Sequence, residues 1–208
     1  MSDKFIITIS RQFGSGGREI GKKIADSFGI AFYDEELIAL AAKESGFSED
    51  IFEKADEAPS NSFLYSLVMG SNPMGSLFFR NDDLLTNDKL FSIQSKVIRD
   101  IGKKGSCVIV GRCSDYILRE EKNLTRIYFH ADTEFRIKRI MELYNLSEKE
   151  AKTSIIKADK KRNNYYNYYT GNEWTDLKNY DIIINSSKTG VENTISTVVN
   201  YIKTVYEI

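Results

Sequence analysis

Phe5-Ile-Ile-Thr-Ile-Ser-Arg-Gln-Phe-Gly-Ser-Gly-Gly-Arg-Glu-Ile-Gly-Lys-Lys-Ile-Ala25 passes through three kinds of local structure in succession. Residues 5–9 are a continuous apolar run, the pattern of a strand buried on both faces. Gly14, Ser15, Gly16 and Gly17 follow as a turn in which unhindered backbone lets N–H groups converge on one point. Ile20, Ile24, Ala25 and Phe28 then recur at helical spacing until Gly29 stops the helix. Free N–H groups and the positive end of a helix, aimed the same way, make an anion site that suits a nucleotide phosphate. A tight strand-to-helix turn without any ligand would use the same glycines. The phosphate-loop pattern G-x-x-x-x-G-K-[ST] is not matched, because Arg18 follows the last glycine and Glu19 stands where a hydroxyl would meet magnesium. Arg18 can replace the lysine, since its planar fork pairs bidentately with phosphate oxygens. Glu19 can meet Mg²⁺ directly, an ion that prefers oxygen ligands.

Outward from this unit, apolar runs alternate with helical patterns, which implies an α/β fold with a mostly parallel sheet covered on both faces. The expected strands are residues 5–9, 31–33, 107–110, 126–129 and 181–184. The expected helices after the first are 35–44, 49–56, 88–103, 133–144, 148 to about 166, and 191–206. Ser147-x-x-Glu150 and Thr189-x-x-Glu192 read as capping boxes, and Asp132 as a cap for the helix at Thr133. Residues 58–87 break the rhythm with both prolines and several glycines, as a lid or a surface excursion would. A chain of 208 residues fits a single domain over 1–208, with a helical substrate-binding insertion at about 35–103 and a lid-like segment at about 146–175.

The formal net charge of -1 gives no global field toward nucleic acid or acidic membranes, so any anion site is local. Met-Ser-Asp-Lys followed by a five-residue apolar run is too short for a signal peptide or a membrane span. Cys107 and Cys113 make neither a disulfide framework nor a metal spacing, which fits a reducing cytoplasm. The expected partners are small molecules, with neither nucleic acid nor membrane, and the chain a monomer or homodimer.

Three further groups can carry chemistry. The strand over 107–110 ends at Gly111, so Arg112 projects at the carboxyl edge of the sheet, where α/β proteins bind ligands. A pairing of Arg112 with Asp115 is the structural alternative. Asp159 and Arg162 share a helix face at i, i+3, amid Lys157, Lys160 and Lys161 and ahead of Tyr165, Tyr166, Tyr168 and Tyr169. Such a segment can close over a nucleotide, or its lysines can face solvent while its tyrosines pack on the body. Tyr33 and Asp34 sit at the carboxyl end of the short second strand, suited to sugar hydroxyls or an acceptor, with helix capping by Asp34 the competing use. Arg136 and Arg139 lie one turn apart, and His130 has no obvious partner.

Taken together, Ile9-Ser-Arg-Gln-Phe-Gly-Ser-Gly-Gly-Arg-Glu-Ile-Gly21, Phe32-Tyr-Asp34, Val108-Ile-Val-Gly-Arg-Cys113, Asp159-x-x-Arg162 through Tyr169-Thr-Gly171, and Tyr180-Asp-Ile-Ile-Ile-Asn-Ser-Ser187 resemble the cytidylate kinase-like family. The resemblance implies a three-layer α/β/α fold of P-loop kinase type with a five-stranded sheet. It also implies transfer of the ATP γ-phosphoryl group, with Mg²⁺, to CMP, dCMP or a similar small acceptor. Gly14, Ser15, Gly16, Gly17, Arg18 and Glu19 would hold the donor, with Glu19 on the metal. Tyr33, Asp34, Arg112, Asp159 and Arg162 would bind the acceptor, and Arg18, Arg112 and Arg162 would serve catalysis. The sequence departs from the family pattern where Gly17 or Arg18 replaces the loop lysine, and at Ile155, Cys113 and Asn185. A nucleotide-binding regulatory protein without kinase activity is the alternative.

Overall fold

The computed structural model describes residues 4–34 and 81–208, the side chains of 81–87 excepted. Strand β1 (Ile6–Arg11) leads through the glycine turn into α1 (Gly17–Phe28) and β2 (Ala31–Tyr33). Helix α2 (Asn81–Lys104) precedes β3 (Cys107–Val110), the short α3 (Ser114–Ile117) and β4 (Leu124–His130). Helices α4 (Thr133–Tyr144) and α5 (Glu148–Thr170) follow. A 3-10 turn (Leu177–Asn179), β5 (Ile182–Asn185) and α6 (Ser186–Tyr206) complete the chain. The sheet order is β2-β3-β1-β4-β5, and every pairing is parallel. Among the described residues the α/β class read from the sequence is observed, with the five-stranded sheet and the three layers that the resemblance implies.

Side chains alternate across each strand, so the two faces of the sheet build two cores. On one face Ile7, Ile9, Val108, Val110, Ile127 and Phe129 meet Ile20 and Ile24 of α1 and Ile195, Val198 and Ile202 of α6. On the other, Ile6, Ile109 and Tyr128 meet Val97, Ile98 and Ile101 of α2. Each fully buried isoleucine contributes ~1.5–3 kcal/mol, enough to fix which face each helix covers. A third, smaller cluster joins Phe13 to Ile137, Ile140, Ala151, Ile155 and Ala158, packing α4 and α5 against the glycine turn.

Several boundaries differ from expectation. Strand β1 runs two residues past Ile9, because its pairing with β4 continues to Arg11 opposite Phe129. Strand β4 likewise spans Leu124–His130 rather than 126–129, and β5 is displaced by one residue. Helix α2 begins at Asn81, inside the stretch read as an excursion, while α5 continues to Thr170. The box at Ser147 and Glu150 is formed, with the Glu150 N–H donating to Ser147 Oγ. The one expected at Thr189 is not. Helix α6 starts at Ser186 under an Asn185 cap and breaks at Gly190 (φ 73°), while the Thr189 hydroxyl pairs with Thr194. Asp132 occupies the cap position of α4 without a capping bond; its carboxylate is held by Asn185 and Lys188 instead. The helices expected at 35–44 and 49–56, and the excursion as far as residue 80, lie outside the described residues.

Candidate functional site

The glycine turn is held on several sides. Gln12 N–H donates to Phe129 O (2.9 Å), and Ser15 Oγ donates to Gln12 O (2.9 Å). Gln12 Oε1 accepts from Ala131 N–H (3.2 Å), and Ser15 O accepts from Ser186 Oγ (2.7 Å). Gly14 and Gly16 have φ of +84° and +82°, conformations that L side chains rarely adopt. Gly16 is the N-cap of α1 and brings no capping side chain, so it leaves the first-turn N–H groups for another partner. The turn thus has the backbone of an anion cradle.

Its charged neighbours are paired in specific ways. Glu19 accepts from Arg139 Nη2 (2.5 Å), and Lys23 Nζ lies 3.5 Å away. Arg18 reaches away from the turn to Asp34, with Nε and Nη2 each 2.6 Å from Oδ2. Asp34 is buried, so this bond ties the start of α1 to the end of β2. Arg136, also buried, donates to Phe13 O (3.3 Å) and to Asp159 Oδ2 (2.5 Å). Asp159 in turn accepts from Phe13 N–H through Oδ1 (2.7 Å). One carboxylate of α5 therefore clasps both the backbone leading into the turn and the arginine beneath it.

Beside the turn a cleft opens at the carboxyl ends of β1 and β3. Ser10, Arg11, Gly111, Arg112, Lys161, Arg162 and Tyr165 are among the residues that line it. The site lies at the topological switch point, where β1 has β3 on one side and β4 on the other. Gly111, Arg112 and Cys113 all have positive φ (80°, 56° and 55°), a strained turn that sets the direction of Arg112. The Arg112 guanidinium carbon stands 5.5 Å from the Tyr165 ring centre. Asp115, in turn, accepts from Tyr166 OH (2.7 Å) in a buried bond. Arg162 donates to Arg11 O (3.1 Å) and lies over the Phe13 ring. Its pKa is lowered by burial, against the pull of Asp159.

Arg11 is the residue that sequence reasoning missed. Its stem passes beneath the start of α1, where a Cβ on Gly17 would fall 2.6 Å from Arg11 Cβ. Its guanidinium reaches the end of β3, where a Cβ on Gly111 would fall 2.3 Å from Nη1. Burial first, then Arg162 and Arg112, hold its pKa well below the usual range, with Asp34 acting the other way. The available signal was parity: extending the alternation of Ile7 and Ile9 by one step puts Arg11 on the α1 face.

The expected residues are thus brought together unevenly. Arg112, Arg162 and Tyr165 gather at the cleft, while Glu19 and Arg18 are engaged by Arg139 and Asp34 at the turn. Tyr169 stacks on Phe91 of α2 (4.0 Å between ring centres), and Tyr166 is buried, so those rings serve packing. Tyr33 packs against the core on the α2 face, and any helix that Asp34 would cap lies outside the described residues. Among the described residues no group of three or more His, Cys, Asp or Glu side chains could hold a metal ion, and no helix is long and apolar enough to cross a membrane.

Residues 6–188 match the model of the cytidylate kinase-like family. A cytidylate kinase of Staphylothermus marinus is 31% identical over 200 residues, covering 95% of this chain and 96% of its own. A cytidylate kinase of Pyrococcus horikoshii is 27% identical over 201 residues, covering 94% and 87%. Among solved structures, an uncharacterised protein from Eubacterium ventriosum superposes with a TM-score of 0.73 at 29% identity, covering 97% and 99%. Shikimate kinase from Bacteroides thetaiotaomicron has a TM-score of 0.54 at 13% identity, covering 99% and 100%, a likeness of fold. With the parallel sheet, the glycine turn and a family match over most of its length, this chain belongs to the cytidylate kinase-like family.

Proposed function

We propose that the chain is an ATP-dependent phosphotransferase of the nucleoside monophosphate kinase kind, with CMP or dCMP, or a similar small phosphorylated acceptor, as its second substrate. The observation that carries this reading is the cationic cleft of Arg11, Arg112, Lys161 and Arg162, which adjoins the glycine turn at the sheet's switch point. A donor phosphate chain and an acceptor phosphate placed on these two features would meet end to end.

Phosphoryl transfer asks little covalent chemistry of a protein; positioning and neutralisation of charge on the moving group suffice. Backbone N–H groups from Gly14 to Gly17 would cradle the donor phosphates, with Arg18 and Arg139 near. Arg112 and Arg162 would take the acceptor phosphate. Tyr33 and Asp34 would bound the acceptor side, while Asp159 holds α5 on the turn. Helix α5, within the 146–175 segment, would act as the lid, keeping out water that competes as acceptor.

Magnesium supplies charge neutralisation on the phosphates in such reactions. It fits here as an ion carried by the nucleotide, because Glu19 would first have to leave Arg139. The chain would work in the cytoplasm as a monomer or homodimer on small-molecule nucleotides.

One observation favours the second reading, a nucleotide-binding regulatory protein: Arg18, the residue nearest the lysine position, is engaged by Asp34. Coupled ADP-release assays across CMP, dCMP, UMP, AMP and GMP separate the two. Turnover highest with CMP or dCMP supports the kinase. Nucleotide binding without turnover of any acceptor overturns it. An Arg18→Ala variant that binds ATP as tightly as the parent removes Arg18 from the donor site.

A further inference from the structure

The geometry points to Arg11 as the cation that contacts phosphate oxygens where the glycine turn joins the arginine cleft, serving there in place of the loop lysine this chain lacks. The inference rests on the phosphotransferase reading for the identity of the anion, though its probe does not.

Position is the first argument. The Arg11 side chain runs from beneath the first residue of α1 to the turn that follows β3, as the contacts at Gly17 and Gly111 show. It therefore spans the boundary between the two halves of the site. No other described side chain is closed in by both glycines. An alanine at either position would push Arg11 aside, so the absent side chains are what admit it.

Charge is the second. Arg11 is surrounded by like charges, since Arg162, Arg112 and Arg18 all act on it. The acid acting on it, Asp34, is already bonded to Arg18. Arg162 binds the Arg11 carbonyl and leaves the guanidinium untouched. Among the described residues no hydrogen bond or ion pair reaches that guanidinium, which lines the cleft. A desolvated cation beside others of its sign is unfavourable unless an anion joins it. A structural arginine would be placed on a carboxylate or a helix end; among the described residues this guanidinium is bonded to neither and faces the cleft.

Chemistry is the third. A single carboxylate offers one charge and suits one guanidinium. Several cations converging on one space suit a group with many oxygens and several charges, the property of a polyphosphate. Arg11, fixed at the end of a strand, would need little rearrangement to meet it.

Inorganic tripolyphosphate is the probe, measured by titration calorimetry on the full chain together with ligand-free melting curves. Arg11→Gln is expected to weaken tripolyphosphate binding at least tenfold, and Arg11→Lys to fall between the two. Arg126→Gln, which alters an arginine paired with Asp181 away from the cleft, is expected to bind as the parent does. The ligand-free Arg11→Gln protein is expected to melt at or above the parent's temperature, because repulsion is relieved.

Four results overturn the inference: no binding by the parent, binding by Arg11→Gln within twofold of it, an equal loss in Arg126→Gln, or a ligand-free Arg11→Gln protein that melts well below the parent or does not fold. The last would make Arg11 a structural residue. Absence of turnover with every nucleotide, alongside tripolyphosphate binding that depends on Arg11, overturns the kinase reading alone.

Discussion

Replacing Asp159 with asparagine separates a structural carboxylate from a substrate ligand. Oδ1 accepts the Phe13 N–H at 2.7 Å and Oδ2 accepts Arg136 Nη1 at 2.5 Å, with Arg162 Nη1 3.9 Å away. The side chains of Arg136 and Asp159 are only 10% and 20% exposed, so solvent screens this pair weakly. Asparagine keeps one oxygen for Phe13 but turns an amide N–H toward Arg136 or leaves it without an anion. Breaking a buried pair from one side costs ~3–5 kcal/mol, and the residual exposure here brings the expectation to about 2–3 kcal/mol. For a chain of this length each kcal/mol moves the melting point by ~2–4 °C, so Asp159→Asn is expected to melt about 4–12 °C lower. Calorimetry and urea unfolding measure this directly. Adding Arg136→Gln completes a double-mutant cycle, with a coupling of about 1–3 kcal/mol expected for residues in one network. A melting point within about 2 °C of the parent, or no coupling in the cycle, would refute the reasoning and return Asp159 to the acceptor site.

Gly111→Ala puts a methyl group where Arg11 Nη1 lies and forces a side chain into a φ of +80°. It is expected to cost about 1–3 kcal/mol in urea unfolding and to weaken tripolyphosphate binding as Arg11→Gln does; unchanged binding would count against the placement of Arg11. Cys107 and Cys113 are 2% and 4% exposed, and burial raises both thiols, Cys107 to about 11. Neither is expected to react with a disulfide reagent in native protein at pH 8, and both to react in denaturant; a fast-reacting native thiol would show local opening. Asp132 is lowered from 3.8 to about 2 by bonds from Asn185 and Lys188. Its contribution to stability is present above pH 4 and fades as pH falls toward 2, so Asn185→Leu is expected to flatten the acid-unfolding curve in that window. An unchanged curve would remove Asp132 from the acid response.

The architecture was legible because each of its determinants is local. Apolar runs at residues 5–9 and 107–110 state their burial within a few positions, and Ser147 with Glu150 announces a helix start in four. Strand ends were less legible, since β1 continues to Arg11 only because β4 is beside it to pair with. The cap expected at Thr189 failed for a local reason: the helix already runs from Ser186 and only kinks at Gly190, so the Thr189 hydroxyl meets Thr194 five residues on. The same contrast holds at the site. Arg112 could be placed from the end of its own strand. The engagement of Arg18 by Asp34 depends on how α1 lies over β2, which no spacing in the sequence records.

A net charge of -1 excludes a global field, yet the cleft is strongly cationic, and the two facts are compatible through topology. The acids described beside the turn each already hold an arginine: Asp34 on Arg18, Asp159 on Arg136, Glu19 on Arg139. Those pairs fix the turn, α1, α4 and α5 to one another. The cleft's cations come instead from the ends of β1 and β3 and from the middle of α5, elements far apart in the chain. Parallel strands end on the same edge, so any arginines at their carboxyl ends converge whatever the balance elsewhere. Local charge in this fold is thus set by strand order, and the fixed pairs around it keep the convergence in place until an anion arrives.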